Sequence, residues 1–375
     1  MTFFVLLATT IGLYLLTSFL FRSFEARRQT LAKEYVVRGQ TALRQSLPTD
    51  AVAALRIANS YALDERNIHL LLAEALAASG QTDEAANYFL SLRETEPGNG
   101  LINLQLARLA RNKSNRQQAI HYYRSAVLGT WQNAEQRQQV DLEFAGYLIE
   151  SKELASARAE LLVAAANSRE TVASDLLFGD HLLAAQDTAD AMTYYRKALT
   201  LDPDNFNAQQ QIGRVLYDLG DYKNAAKYLH FAAKIAQKNA HLSPRYPELN
   251  ALAEKADRLA DLSLSRDLPG RERAHHILTA AKIAKARLAA CMASSDQNKQ
   301  SAALQSLDKA WTDAGKAQLR GKAIDEGANQ DFAMQLIFDT EIQTAGPCGA
   351  PQGDDALLLL LAQRANHSAP AQEVR

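Results

Sequence analysis

Cysteine is the scarcest source of chemistry here: Cys291 and Cys348 are the only two in 375 residues. They make no Cys-x-x-Cys pair and no metal-ligand spacing, which excludes a cysteine-ligated zinc site. Their separation leaves a disulfide and two buried free thiols both open, with free thiols the expected state. The phosphate-cradling loops GxGxxG and GxxxxGK[ST] are missing, and so is the GxSxG nucleophile turn. The eight histidines are scattered. His275 and His276 are adjacent, and neighbours on a helix diverge by about 100°, which is wrong for sharing a metal. Charge of one sign is lacking too: 41 basic and 42 acidic residues leave a net charge of -1. That balance gives no general attraction to nucleic acid or to an anionic lipid surface. No catalytic residue, metal or cofactor is therefore assigned.

Long apolar runs are also absent, with one exception. Phe3 to Phe21 carries no charge, and Leu, Ile, Val and Phe dominate it. Its length just spans a bilayer core as a helix, and insertion is favoured by roughly 4 to 7 kcal/mol before the polar residues are counted. A cleaved signal peptide usually has a basic start and small residues before the cut. This chain starts Met1-Thr2 and the run ends Phe19-Leu20-Phe21, so an uncleaved anchor over residues 1–24 is expected. Arg22, Arg27, Arg28 and Lys33 come directly after it. By the positive-inside rule they keep the rest of the chain on the cytoplasmic side of an inner or cytoplasmic membrane, as a single-pass protein.

What the chain has is a period. Gly39, Ala73 and Ala107 are evenly spaced, as are Ala145, Gly179 and Gly213, and the interval is about 34 residues. A second series keeps step: Ala51, Ala85, Ala119, then Ala157, Ala191, Ala225. Between the third and fourth units the interval grows, which reads as a short insertion near Trp131 to Gln138. Small residues at such points let two helices approach closely. A period of this length means units that bury their apolar faces only against neighbours.

These residues resemble the tetratricopeptide repeat (TPR) superfamily. The fifth unit shows it best, with Gly179, Leu182, Ala191, Tyr195, Ala198 and Pro203 on the family's small, aromatic and proline positions. The second matches with Ala73, Leu76, Ala85, Phe89 and Pro97, and the sixth with Gly213, Leu216, Gly220, Ala225, Leu229 and Ala232. The third has Ala107, Ala119, Tyr123 and Ala126, and the fourth has Ala145, Ala157, Leu161 and Ala164. In the first, Arg38 sits where a large apolar residue is usual. The resemblance implies an all-α fold: an N-terminal transmembrane helix, a solenoid of six helical hairpins over residues 25–240, and a divergent α-helical C-terminal cap. The order of anchor then repeats is similar to the lipopolysaccharide assembly B proteins, whose cysteine-ligated metal ribbon has no counterpart here. It is also similar to periplasmic TPR factors of cytochrome c maturation and envelope chaperoning, which face the other way.

Beyond Asn239 the period stops. His241 to Pro247 must be a break, and residues 241–293 read as a divergent capping pair of helices, Glu248–Ser265 and Arg271–Met292. The basic residues of the second (Arg271, Arg273, Lys282, Lys285, Arg287) are expected on a solvated face. Residues 294–366 read as a helical region interrupted by the loop from Gly346 to Gly353. Five consecutive leucines, Leu357 to Leu361, then require a buried or docked helix. Residues 367–375 read as a flexible tail.

In the TPR family the first helix of each hairpin lines a concave groove at recurring positions. Carried onto this chain, those positions are Leu101, Leu104, Arg108, Arg111 and Asn112 in the third unit. They include Asp180 in the fifth, and Asn207, Gln210, Arg214, Tyr217 and Asp218 in the sixth. Arg108 and Arg111 could fork onto a carboxylate. The family's clamp for a peptide C-terminus uses a fixed set of Lys and Asn residues that this chain does not reproduce. The resemblance thus implies a membrane-anchored scaffold that binds a partner protein, with no role for nucleic acid. An enzyme working near Cys348, Asp354 and Asp355 is the reading from a different class.

Overall fold

Residues 2–62, 65–294 and 302–368 are described by a computed structural model, without the side chains of residues 2–9, 134, 294, 367 and 368. The tail expected at 367–375 therefore falls largely outside the described residues. The described residues form seventeen α-helices, with short 3-10 turns at Ser243–Arg245 and Gly321–Asp325. No strand occurs among them; one isolated parallel bridge joins Asn99 to Thr130. The chain divides into two compact units, Met1–Arg169 with His181–Asp187, and Glu170–Asp180 with Thr188–Arg375.

In the first unit, helices α1 (Thr2–Arg44) and α2 (Pro48–Tyr61), α3 (Arg66–Ala78) and α4 (Thr82–Thr95), α5 (Gly100–Asn112) and α6 (Arg116–Val127), and α7 (Ala134–Glu150) and α8 (Leu154–Ala166) form successive pairs. Helix α9 (Val172–Ala184) is divided between the units at Asp180. The second unit continues with α10 (Thr188–Leu201), α11 (Phe206–Leu219), α12 (Tyr222–Lys238) and α13 (Tyr246–Leu262). After these come α14 (Gly270–Ser294), α15 (Ala302–Lys316), α16 (Gly327–Ala345) and α17 (Asp354–Ser368).

Each pair closes by the same contact. A small residue on the first helix meets a large one on the second: Gly39 meets Leu55, Gly179 meets Tyr195, and Gly213 meets Leu229. A Cβ built on these glycines would lie 2.5, 2.6 and 2.8 Å from the facing side chain. The large series Leu55, Phe89, Tyr123, Leu161, Tyr195 and Leu229 is fully buried, and so is the alanine series from Ala51 to Ala225.

The turn within each pair is equally regular. Ser46, Gly80, Ser114, Lys152, Gln186 and Gly220 all take a positive φ, between 55° and 85°. In each case the next residue's N–H returns to a carbonyl five residues back, as Glu153 N to Leu148 O at 2.8 Å and Asp221 N to Leu216 O at 2.9 Å. This is the Schellman closure, which satisfies carbonyls left open at a helix end. Only two of the six residues are glycine, so this third periodic series is hidden in the sequence.

The insertion between α6 and α7 has its own fastening. Trp131 lies over Gly100, where a Cβ would fall 2.3 Å from the indole, and its Nε1 donates to Ala126 O at 2.8 Å. Helix α1 runs without a break from Thr2 into the first pair. Among the described residues no helix is long and apolar enough to cross a membrane. The expected anchor starts in residues 1–9, whose side chains lie outside the described ones. Further along, Leu13, Leu16, Phe19, Phe21 and Phe24 are each more than half exposed.

Beyond α12 the packing changes. Helix α13 packs on α12, and α14 packs chiefly on α16. Ile277, Ala280, Ala284, Leu288, Trp311, Ile337 and Leu358 form one core. The basic face expected on α14 is exposed at Arg271, Lys282 and Lys285 and needs correction at the other two. Arg273 is 5% exposed and donates to Leu264 O at 3.1 Å and to Asp331 at 2.7 Å. Arg287 is half-buried, because both arginines fall on the apolar stripe of Ile277, Ala280, Ala284 and Cys291. The free-thiol expectation is likewise overturned: Cys291 and Cys348 form a disulfide, with Cα atoms 5.2 Å apart. Of the five leucines, Leu358 is fully buried and Leu357 and Leu361 pack against the same core.

Candidate partner-binding cleft

The predicted groove residues separate into two sets. On α5, Leu104 is buried at 4% exposure, Leu101 is half-buried, and Asn112 is exposed at the helix end. Arg108 and Arg111 do fork onto carboxylates, but these belong to the chain. Arg108 holds Glu143 at 2.9 and 2.6 Å, and Arg111 holds Glu150 at 3.0 and 2.7 Å. Tyr123 also donates to Glu143, at 2.9 Å. Burial pushes the Glu143 carboxyl up, and the hydrogen bonds from Arg108 and Tyr123 reverse that, so its pKa falls below the ordinary value. These arginines tie α5 to α7.

The second set converges. Asp180, Asn207, Gln210 and Arg214 line one cleft of about 290 Å³ together with Leu176, Gln211 and Arg245. Helix α11 supplies most of it, since Asn207, Gln210, Gln211 and Arg214 are one turn apart and share a face. Asp180 is held in place, because its Oδ1 accepts from Tyr195 at 2.7 Å and from Gln211 at 2.9 Å. Burial, then the bond to Asp180, raises the Tyr195 phenol well above its usual range. Arg214 reaches Glu248 at 3.0 Å, and Arg245 lies over the Phe206 ring at 5.0 Å.

Gln210 differs from these. It is 4% exposed and makes no hydrogen bond among the described residues. Its neighbour Gln209 donates to Pro203 O at 2.8 Å, while its own Oε1 is buried without a donor. No Gln210 amide atom is fully buried without a partner, so the amide meets solvent in the cleft and is open to a bound group. Three amides and two guanidinium groups in one cleft can accept and donate to a peptide backbone and meet a carboxylate. Tyr217 and Asp218 do not join them: Tyr217 stacks edge-on with Tyr222, and Arg364 from α17 lies over both rings.

A larger cavity of about 630 Å³ lies by α12, α13 and α14, lined by Asp221, Asp257, Asp261, Asp267 and Glu272. Several of these charges are answered within the chain, as Lys223 pairs with Glu272 and His230 with Asp257. The groups considered for an enzyme are engaged too. Cys348 is in the disulfide, Asp354 accepts from Arg258 at 2.7 Å, and Asp355 accepts from Arg287 at 2.9 Å. Among the described residues no three His, Cys, Asp or Glu side chains are placed to hold a metal ion.

Sequence reasoning missed Asn103 and Gln209. Asn103 is fully buried, accepts from Arg93 at 2.9 Å and donates to Pro97 O at 2.9 Å. Gln209 does the same for Pro203. The signal was present: Pro97, Asn99 and Asn103 recur in register as Pro203, Asn205 and Gln209, with the asparagine at the helix N-cap each time.

Models of the tetratricopeptide repeat family match residues 66–109 and 182–253, the second range containing most of the cleft. The chain carries tetratricopeptide repeats. No functionally curated protein matches it. Solved structures with similar folds include pilF of Pseudomonas aeruginosa, 17% identical over 60% of this chain and 98% of that one, with a TM-score of 0.40. The C-terminal part of a TPR repeat-containing protein from Cytophaga hutchinsonii is 12% identical over 64% and 91%, with a TM-score of 0.48. PilW, a type IV pilus biogenesis factor, is 16% identical over 59% and 97%, with a TM-score of 0.38. At these values none of the three bears on what this chain's TPRs bind.

Proposed function

We propose that this chain is a membrane-anchored TPR scaffold that binds a segment of a partner protein in the cleft formed by Asp180, Asn207, Gln210, Arg214 and Arg245. The observation that carries the reading is the cleft itself, in which the Gln210 amide, with no side-chain hydrogen bond to the described residues, stands beside polar and cationic groups. A peptide backbone supplies the missing donor and acceptor, and a side-chain or terminal carboxylate suits the two arginines. The first unit would serve as a spacer stiffened by its own ion pairs, since its groove arginines are already engaged.

Attachment is assigned to residues 1–24. The uncharged run from Phe3 to Phe21 supports it, as does the exposure of Leu13, Leu16 and Phe19 along α1. The comparison with lipopolysaccharide assembly protein B rests only on this order of anchor and repeats, because both cysteines are used in a disulfide and none is left for a metal ribbon.

Photocrosslinking tests the reading. A benzophenone amino acid at Asn207 should give a discrete adduct in native membranes, and one at Thr193, exposed on α10, should not. The adduct should vanish when Gln210→Ala is added. Equal labelling from both positions, or an adduct indifferent to Gln210, would overturn the cleft as the binding site.

A further inference from the structure

Both cysteines of the chain are spent on one bond. Cys291 is buried on α14, and Cys348 lies in the loop between α16 and α17. They are separated by 57 residues in sequence, with Cα atoms 5.2 Å apart, within the range a disulfide requires. Tertiary folding, not local chain geometry, brings them together.

The bond sits where the fold is already fastened. One turn before Cys291, Arg287 donates to Thr344 O at 3.3 Å, to Gly349 O at 2.6 Å and to Asp355 at 2.9 Å. The end of α16, the loop and the first turn of α17 are therefore all held to α14, and the disulfide locks the same loop covalently. A structural bond of this kind forms and persists where the compartment is oxidising, whereas cytosolic thiol buffers keep such pairs reduced.

One observation points the other way: Arg22, Arg27, Arg28 and Lys33 come after the apolar run. The positive-inside rule is strong for short loops, but large domains translocate largely regardless of flanking charge. The disulfide has no such exemption, because it depends on the surroundings of the folded unit itself.

We propose that the repeats and the C-terminal helices work in an oxidising, non-cytoplasmic compartment, and that the partner of the cleft is itself an exported protein. The inference rests on the anchor reading for attachment but not for the side of the membrane. It favours the maturation or chaperone role over a cytoplasmic scaffold.

The test uses the full chain in intact cells. Proteins are acid-quenched and alkylated with a polyethylene-glycol maleimide, with and without prior reduction, and a C-terminal alkaline phosphatase fusion is assayed in parallel. The expected result is a two-label mass shift only after reduction, no shift in the Cys291→Ser, Cys348→Ser double variant, and an active phosphatase. Labelling without reductant, or a silent phosphatase, overturns the proposal. Fractionation separates this from the anchor reading: a shortened, soluble chain with the disulfide intact would reject the anchor and leave the compartment standing.

Discussion

The helical pairs and the C-terminal helices solve the same problem with opposite means. In the pairs, one contact is used repeatedly: a small residue under a large one a few turns later, closed by a left-handed turn. In α14 to α17 each fastening is used once and reaches far along the chain, such as Arg287 to Gly349, Arg273 to Asp331, and Cys291 to Cys348. Repetition spreads stability over many small, similar terms. Singular contacts concentrate it, so a single change in the C-terminal helices should cost more than one in a pair.

The largest effect is expected at Arg287. Arg287→Ala removes the partner of the half-buried Asp355 carboxylate, 18% exposed, and breaking a buried pair costs about 3 to 5 kcal/mol. Denaturant unfolding of the full chain in detergent, tracked by tryptophan emission, measures it. Beside Asp355 lies Glu341, fully buried, with both carboxylate oxygens lacking a hydrogen-bond donor, as does Asp355 Oδ1. Burial, then the nearby Asp355 charge, pushes the Glu341 pKa up to about 8. A shared proton satisfies the pair and leaves the cluster with Arg287 neutral. Because the folded pKa exceeds the unfolded value, this stabilisation is complete below about pH 4.3 and is lost as pH rises toward 8. Glu341→Gln should remove that slope. The difference between the two unfolding curves isolates it from other raised carboxyls such as Asp141. Parallel curves for variant and parent across pH 5 to 8 would refute the shared proton.

Reduction of Cys291–Cys348 comes next. Releasing a loop of 57 residues should cost up to about 4 kcal/mol on the chain-entropy account, seen as a lower unfolding midpoint in reductant. Within the pairs the effects should be smaller. Ala191→Leu or Ala225→Leu overpacks a fully buried contact and should cost about 1 to 3 kcal/mol, read as a lower melting temperature. The smallest effect sharpens the contrast by changing sign. Lys152 holds φ at 62°, so Lys152→Gly should relieve left-handed strain and raise stability, by less than about 1 kcal/mol once the unfolded chain's gain in freedom is counted.

The same contrast explains what the sequence disclosed. Gly179 and Tyr195 belong to one hairpin and recur in register, so their contact was legible as a period. The turn series was not, because serine, lysine and glutamine can take the conformation that glycine marks at Gly80 and Gly220. Arg273 and Arg287 were misplaced on a solvated face because charge was weighed ahead of position, although both fall on the stripe of Ile277, Ala280 and Ala284. The thiol pairing was illegible, since nothing local brings Cys348 to Cys291. Of the site, Asp180, Asn207, Gln210 and Arg214 were named by family position and do share a cleft. Arg108 and Arg111 were named by the same logic, but their carboxylates, Glu143 and Glu150, lie a helix away.

The last helix also imposes an order in time. Arg364 on α17 donates to Tyr217 O at 3.0 Å and to the Tyr222 hydroxyl at 2.8 Å, across 147 and 142 residues. Synthesis runs from the N-terminus, and early elements fold first. Each hairpin can therefore close as it emerges, but the turn between α11 and α12 must wait for α17 before its carbonyl and its tyrosine are engaged. Until α17 has been made, that turn is unfinished, and a chain cut short before α17 would carry six closed hairpins with the last turn uncovered.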